Sequence, residues 1–510
     1  KEKMVMNSFV LCVALLVVAA AAQSCDTCGP FEVTADTLPG YSGPTPFPFE
    51  SYTGYVVVNE TESRQNFYWL TKAVENPDTA PLILWYNGGP GCSSMGGLFT
   101  ENGPFRVSSD ASSVTLDQTA SWNQFANMLF VEQPTGVGFS VSPDGDADTV
   151  YTSSDQQAAK DTFNFLEGFL QAWPEYQGRD IWLTGESYAG VYIPTSWGEI
   201  LAHPDSMTYN QLRGVMLGNP VIACESKQGA QWVMNNFYYH GLVSQSVFDD
   251  WNNRGCSTKG AGSHCTRIFF KAFRQIGGVT QQIGDFSFNG TLPALDSDDL
   301  YQDFITSNAS LAYMLSLLTG DDNVVEGSLA LYLNRADVQE AIHALPPAGG
   351  EWTQCQSFRT LRYTSSGASM IPLYEALITQ RPDVSILVYS GDIDIATVPF
   401  VYTMPCLSEL QGSPVKGREW SPWYVNAAAV GYVEYFKEYT FATVKGAGHT
   451  VPEYQPVSAF AMASRFVASQ NLDGGEIYFD DDGSNNKKVF RRTRRQSDAL
   501  FEHFPLVPPH

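Results

Sequence analysis

Short, almost uninterrupted apolar runs separated by helical repeats make up the middle of the chain. Positions 82–86, 128–131, 181–184, 215–217, 386–389 and 441–444 are nearly continuously hydrophobic, where a half-exposed strand would alternate. Such runs predict strands buried on both faces of a parallel sheet. Residues 54–58 and 66–70 read instead as an antiparallel hairpin added at one edge. Over 155–173, Phe165, Leu166, Phe169, Leu170 and Trp173 recur at helical spacing, with Ser154 or Asp155 as cap and Pro174 just past the end. A second helical pattern covers 331–344. Strands alternating with helices predict an α/β fold: a mostly parallel central sheet with helices on both faces.

That regularity lapses between 221 and 330, where three cysteines, two sequons and many aromatics replace clean strand runs. This stretch reads as an inserted cap or lid over the sheet's catalytic edge. The expected organisation is therefore a leader (1–22), a first core part (23–220), the insertion (221–330), a second core part (331–482) and a tail (483–510). The tail holds six basic residues in the nine positions 487–495, behind an acidic patch at 480–482. It reads as solvated and flexible, with a processing site for a basic-specific protease as the sharper alternative.

The leader runs apolar from Ser8 to Ala22 behind Lys1 and Lys3 and ends in small residues at Ala20 and Ala22. This is the grammar of a secretory signal peptide cleaved after Ala22, and it is short for a spanning helix. No later segment is apolar enough to span a bilayer. Entry into the secretory pathway implies a lysosomal or vacuolar lumen or secretion, and an oxidising compartment. The eight cysteines left after Cys12 is removed then read as a disulfide framework. The Cys25–Cys28 spacing lacks the following helix that redox chemistry would need. Sequons at Asn59, Asn289 and Asn308 fit glycosylated surface loops. With 54 acidic against 29 basic residues the net charge is −25, which repels phosphate backbones and disfavours nucleic acid. Hydrophobic residues at 44% exclude a disordered chain.

Gly185-Glu186-Ser187-Tyr188-Ala189-Gly190 directly follows the run 181–184. A G-x-S-x-G pattern at a strand end turns sharply, exposes the serine hydroxyl at the sheet edge and leaves the next N–H for an oxyanion. A serine nucleophile needs a base, and the base needs an orienting acid. His203, His343 and His510 fall on a polar loop, a helical pattern and the tail. His449 is different, because it follows the run 441–444 in the small-residue turn Gly446-Ala447-Gly448. Gly391-Asp392-Ile393-Asp394 follows the run 386–389, and chemistry alone leaves both acids open. The order Ser187, Asp394, His449 is that of the α/β-hydrolases.

Longer motifs narrow the class. Segments 84–94 (LWYNGGPGCSS), 101–105 (ENGPF), 131–140 (VEQPTGVGFS), 185–190 (GESYAG), Gly218-Asn219-Pro220, the stretch YLNRADVQEAIH and 446–452 (GAGHTVP) occur in order. On these motifs the chain resembles the serine carboxypeptidase family from about Val56 to Phe466. The resemblance implies an α/β-hydrolase fold with Ser187 as nucleophile, His449 as general base and Asp394 as the catalytic acid. It implies an oxyanion hole of the Gly89 and Tyr188 N–H groups, no metal and no other cofactor. It also implies that Asn87, Gly88, Glu101 and Glu186 hold the C-terminal carboxylate of a peptide or protein substrate. Two glutamates can do so only by sharing protons, since like charges raise a carboxyl pKa, so recognition is coupled to low pH. The family cysteine in NGGPGCSS pairs with one in a W-x-x-C context, which implies Cys92–Cys355 beside Trp352. Cys256–Cys265 reads as a short loop in the insertion, and Cys224–Cys406 and Cys25–Cys28 follow by elimination. A homodimer stays open.

Three departures bear on the activity. Tyr86 stands where Leu is usual, Thr450 where Met is frequent, and the loop before Pro399 is one residue longer. Some plant relatives that became acyltransferases also carry this Thr, but they tend to lose the Asn of NGGP and to carry GDSYSG. Asn87, Glu186 and Ala189 keep the peptidase form here. The expectation is an acid serine carboxypeptidase acting through an acyl-enzyme. An acyltransferase on the same triad and a protective or scaffolding role for other lumenal hydrolases are the alternatives.

Overall fold

The computed structural model describes residues 28–146, 148–224, 229–256, 262–275, 327–395, 397–410 and 412–472. The leader 1–22, Cys25 with its expected bridge to Cys28, the sequons at Asn289 and Asn308 and the tail 483–510 lie outside the described residues.

The first strands are β1 (Phe31–Glu32), β2 (Ser51–Asn59), β3 (Arg64–Thr71) and β4 (Leu82–Tyr86), followed by β5 (Phe105–Val107), β6 (Val114–Leu116), β7 (Asn127–Val131) and β8 (Tyr151–Ser154). Then come β9 (Ile181–Glu186), β10 (Leu212–Gly218), β11 (Leu361–Thr364), β12 (Ser385–Gly391), β13 (Ser421–Val425), β14 (Ala428–Tyr435) and β15 (Thr440–Val444). Eleven of them form one sheet in the order β1-β2-β3-β7-β4-β9-β10-β12-β15-β14-β13. From β7 to β15 the six central strands are parallel. Antiparallel pairs flank them on both sides.

The apolar runs work by alternation across this sheet. Leu82, Leu84 and Tyr86 pack with Phe165, Phe169, Ile193, Trp197 and Tyr374 on one face. Ile83 and Trp85 pack with Met95, Phe99, Trp122, Phe460 and Phe466 on the other. Each large side chain so buried contributes roughly 1.5–3 kcal/mol. The helix Asp155–Ala172 begins where Ser154 Oγ accepts a hydrogen bond from Gln157 N at 3.2 Å, and it ends before Pro174. No helix among the described residues is long and apolar enough to cross a membrane.

The structure corrects the single helix expected over 331–344. Two short helices, Ser328–Leu333 and Ala336–Ala341, are separated by Arg335 in an extended conformation. Asn334 ends the first by clasping the Trp352 backbone, donating to its carbonyl at 2.8 Å and accepting from its N–H at 2.7 Å. The antiparallel edge β13–β14 went unread for a related reason. Its turn puts Asn426 and Ala427 at φ 48° and 63°, where a glycine would have announced a hairpin.

Within 221–330, ahead of Ser328–Leu333, the described residues include the helices Gly229–Tyr239, Gln245–Asn253 and Ser263–Gln275. They share a small core of Phe237, Val247, Trp251 and Ile268. Cys256–Cys265 closes it, and Cys224–Cys406 ties the start of the segment to the helix Phe400–Leu407. This cluster also takes in Ile395, so it leans on the loop that follows β12.

Candidate active site

Ser187 sits immediately beyond β9 and is the one partly exposed residue between 181 and 190. Its φ of 58° is costly for a residue with a Cβ and persists because the neighbours fix it. Ser187 N donates to Gly218 O at 3.0 Å, and Ser187 O accepts from Val221 N and Gly190 N, both at 2.9 Å. The flanking glycines make room: a Cβ on Gly185 would lie 2.3 Å from Tyr86 O, and one on Gly190 2.6 Å from Val221 O.

The neighbouring parallel strands β12 and β15 end at the same edge of the sheet and lead into the segments that carry Asp394 and His449. His449 Nδ1 donates to Asp394 Oδ2 at 2.8 Å, with both side chains buried. Asn219 Nδ2 at 3.0 Å and Val398 N at 3.0 Å also donate to Asp394 Oδ2, and Thr397 N to Oδ1 at 3.0 Å. The same Asn219 accepts from Gly391 N at 2.9 Å, so it joins β10 to both ends of the acid loop. Asp392 faces elsewhere and accepts from Gly446 N at 2.6 Å. Burial raises its carboxyl above the usual range, against the pull of that bond.

A second constellation gathers around Asn87. Asn87 Nδ2 donates to Glu101 Oε1 at 2.7 Å and to Glu186 Oε1 at 3.0 Å. Asn87 Oδ1 accepts from Trp85 Nε1 and Gly97 N, each at 3.0 Å, which fixes the amide with its NH₂ toward the two acids. Burial raises the Glu101 carboxyl, and bonds with Asn87 and Glu186 pull it back. Gly88 is pressed against the serine turn, so that an added Cβ would stand 2.7 Å from Ser187 Cβ. Among the described residues, neither Gly89 N–H nor Tyr188 N–H donates to a protein acceptor. Cys92 is bonded to Cys355 just beyond this loop.

The structure brings Asp394 to His449 and Asn87 to Glu101 and Glu186, with Gly88 against the turn that carries Ser187. In the sequence, Asn219 stands out only within the motif Gly218-Asn219-Pro220; its place at a strand end beside the acid loop was the available signal. Asn236, from the segment 221–330, was missed altogether. Its Nδ2 donates to Ile395 O at 2.9 Å. Asn59, at the end of β2, accepts from Glu62 N at 3.2 Å in a surface turn.

A parallel sheet with helices on both faces and a serine on a tight turn beyond a central strand defines an α/β-hydrolase. The model of one family, serine carboxypeptidase, matches residues 39–469, and the chain belongs to that family. It is a hydrolase of the serine carboxypeptidase kind. Serine carboxypeptidase-like 38 of Arabidopsis thaliana is 35% identical over 451 residues, covering 86% of each chain. Serine carboxypeptidase 24 of the same plant is 32% identical over 470 residues, covering 91% of this chain and 98% of its own. Among solved structures, the prohormone-processing carboxypeptidase Kex1(delta)p of Saccharomyces cerevisiae superposes with a TM-score of 0.67 at 22% identity, over 86% of this chain and 95% of that one. That likeness is one of fold.

Proposed function

We propose that the protein removes residues one at a time from the free C-termini of peptides and proteins at acidic pH, through an acyl-enzyme on Ser187. His449, oriented by Asp394 through its Nδ1–H, takes the serine proton at Nε2 and returns it to the leaving amine. The Gly89 and Tyr188 N–H groups receive the oxyanion of the tetrahedral intermediate. Asn87 and Gly88, with a protonated Glu101–Glu186 pair, hold the substrate's terminal carboxylate one residue from the nucleophile. The enzyme works in a lysosomal or vacuolar lumen, or outside the cell, after losing its leader at Ala22. Asn59, Asn289 and Asn308 carry its glycans.

The observation that carries this reading is Asn87 bridging two buried carboxyls, Glu101 and Glu186, directly before Ser187. A serine triad alone would serve any acyl transfer, whereas acids placed to donate hydrogen bonds select a substrate that ends in a carboxylate. The test is a serine-directed organophosphate followed by peptide mapping, alongside Ser187→Ala. Labelling at Ser187 alone is expected, with variant turnover reduced to at most about 10³–10⁴-fold over water. Labelling of another residue, or near-normal turnover by the variant, would overturn it.

A further inference from the structure

Glu132 directly follows β7 and is a fully buried carboxyl that plays no part in the chemistry above. Its Oε1 accepts hydrogen bonds from Ser93 Oγ and from Trp352 Nε1, the latter at 2.9 Å. Its Oε2 accepts from Phe139 N at 2.6 Å. Ser93 follows Cys92, and Trp352 lies three positions before Cys355, so one carboxyl grips both flanks of the Cys92–Cys355 bridge. The adjacent residue completes the clamp: Ser94 Oγ donates to Val131 O at 2.6 Å and accepts from Asn87 N at 3.2 Å. The loop 87–94, which carries Asn87, Gly88 and Gly89, is thereby closed onto the end of β7. Cys92 N donates to Gly88 O at 3.1 Å inside it, which relays the position of Cys92 to the glycines.

We propose that Glu132 is a positioning residue for the oxyanion step, setting the Gly89 N–H through Ser93 and the Cys92–Cys355 bridge. The inference rests on the assignment of Gly89 to the oxyanion hole. An oxyanion donor acts in the transition state and hardly in the ground state, so its misplacement lowers kcat while leaving KM in place. A displacement of about 1 Å is enough to cost on the order of 10²-fold.

The test is Glu132→Gln, with kcat normalised to organophosphate-titrated active sites. Glutamine offers one acceptor oxygen in place of two, so Phe139 N–H or Trp352 Nε1–H is left facing an NH₂. Ser93→Ala, which removes a single hydroxyl, is measured beside it and decides the matter should Glu132→Gln fail to fold. A peptide aldehyde, whose adduct with Ser187 carries an oxyanion, reports transition-state binding; an N-acyl amino acid product reports ground-state binding. Glu132→Gln is expected to lose about tenfold or more in kcat and in aldehyde affinity. KM and product affinity should stay within about twofold, and Ser93→Ala should show the same pattern more weakly. Unchanged kcat per active site with only a lower Tm would make Glu132 merely structural, and a rise in KM alone would place its effect at the carboxylate site; either overturns the proposal. Turnover retained by Ser187→Ala would overturn the underlying serine mechanism instead, which separates the two failures.

Discussion

Replacing Glu101 by glutamine tests how the protein reads a C-terminus. Asn87 Nδ2 lies 2.7 Å from one acid and 3.0 Å from the other, so a substrate carboxylate arriving here meets two buried acids and one amide. On the proposed reading of this site, binding is favourable when Glu101 carries its proton and donates it, and the ionised pair repels the ligand. Burial already holds the Glu101 carboxyl above its usual range, which keeps the proton available in mild acid. Raising the pH strips it, so KM for a free-acid peptide should climb with pH. One linked proton sets the limiting slope at tenfold in KM per pH unit, about 1.4 kcal/mol. A glutamine side chain is neutral at every pH, so in Glu101→Gln the slope should fall toward zero. A substrate ending in an amide brings no charge, and its KM should stay flat even in the wild type. His449 works in the opposite direction, since it must be neutral to act as base and loses competence as pH drops. Wild-type kcat/KM for free-acid peptides should therefore peak in mild acid, and for the amide nearer neutrality. The assay is KM against pH for matched free-acid and amide peptides, with both enzymes. Superimposable wild-type profiles for the two substrates would refute the reasoning.

Other changes separate positioning from chemistry. Asp394→Asn should cut kcat by about 10⁴-fold by allowing the wrong imidazole tautomer, whereas Asp392→Asn keeps an acceptor for Gly446 N and should stay within about tenfold. Steady-state kinetics decide, and the reverse order would exchange the roles of the two acids. Asn219→Ala should lower kcat by about 10–100-fold with KM little changed, because the Asp394 carboxylate loses a donor that orients it; an effect confined to KM would count against this. Burial pushes the Glu132 carboxyl from 4.5 up to about 7, so its share of folding stability is whole below about pH 4.5 and lost as the pH rises through 7. That share amounts to about 3 kcal/mol, so the loss of stability between pH 4.5 and 7.5 in urea denaturation should be larger by about that amount in the wild type than in Glu132→Gln; equal losses would show that Glu132 is not responsible.

The parallel centre of the sheet was legible because β4, β7, β9, β10, β12 and β15 are buried on both faces and read as unbroken apolar runs. The edge β13–β14 was not, since Tyr424 and Tyr432 stay exposed and its turn lacks a glycine. Ser187 and His449 could be read from small-residue turns after strands, whereas choosing Asp394 over Asp392 on chemical grounds alone required the hydrogen bond to His449. The clamp on Asp394 was illegible for a different reason. Asn219 and Asn236 come from separate elements, 175 and 158 positions from Asp394, and only the fold brings them together. Residues 331–344 misled because the pattern of apolar positions is helical on both sides of Arg335, while the break comes from Asn334 reaching forward to Trp352.

The most direct measurement is mass spectrometry of a peptide with distinguishable C-terminal residues, incubated in mild acid with an alcohol present, using wild type and Ser187→Ala. Wild type should generate a ladder of products shortened by single residues from the C-terminus, ending in free carboxylates, and Ser187→Ala should generate none. Cleavage at internal bonds, products ending mainly in the ester of the alcohol, or a ladder that survives loss of the Ser187 hydroxyl would each contradict a serine carboxypeptidase that hands its acyl group to water.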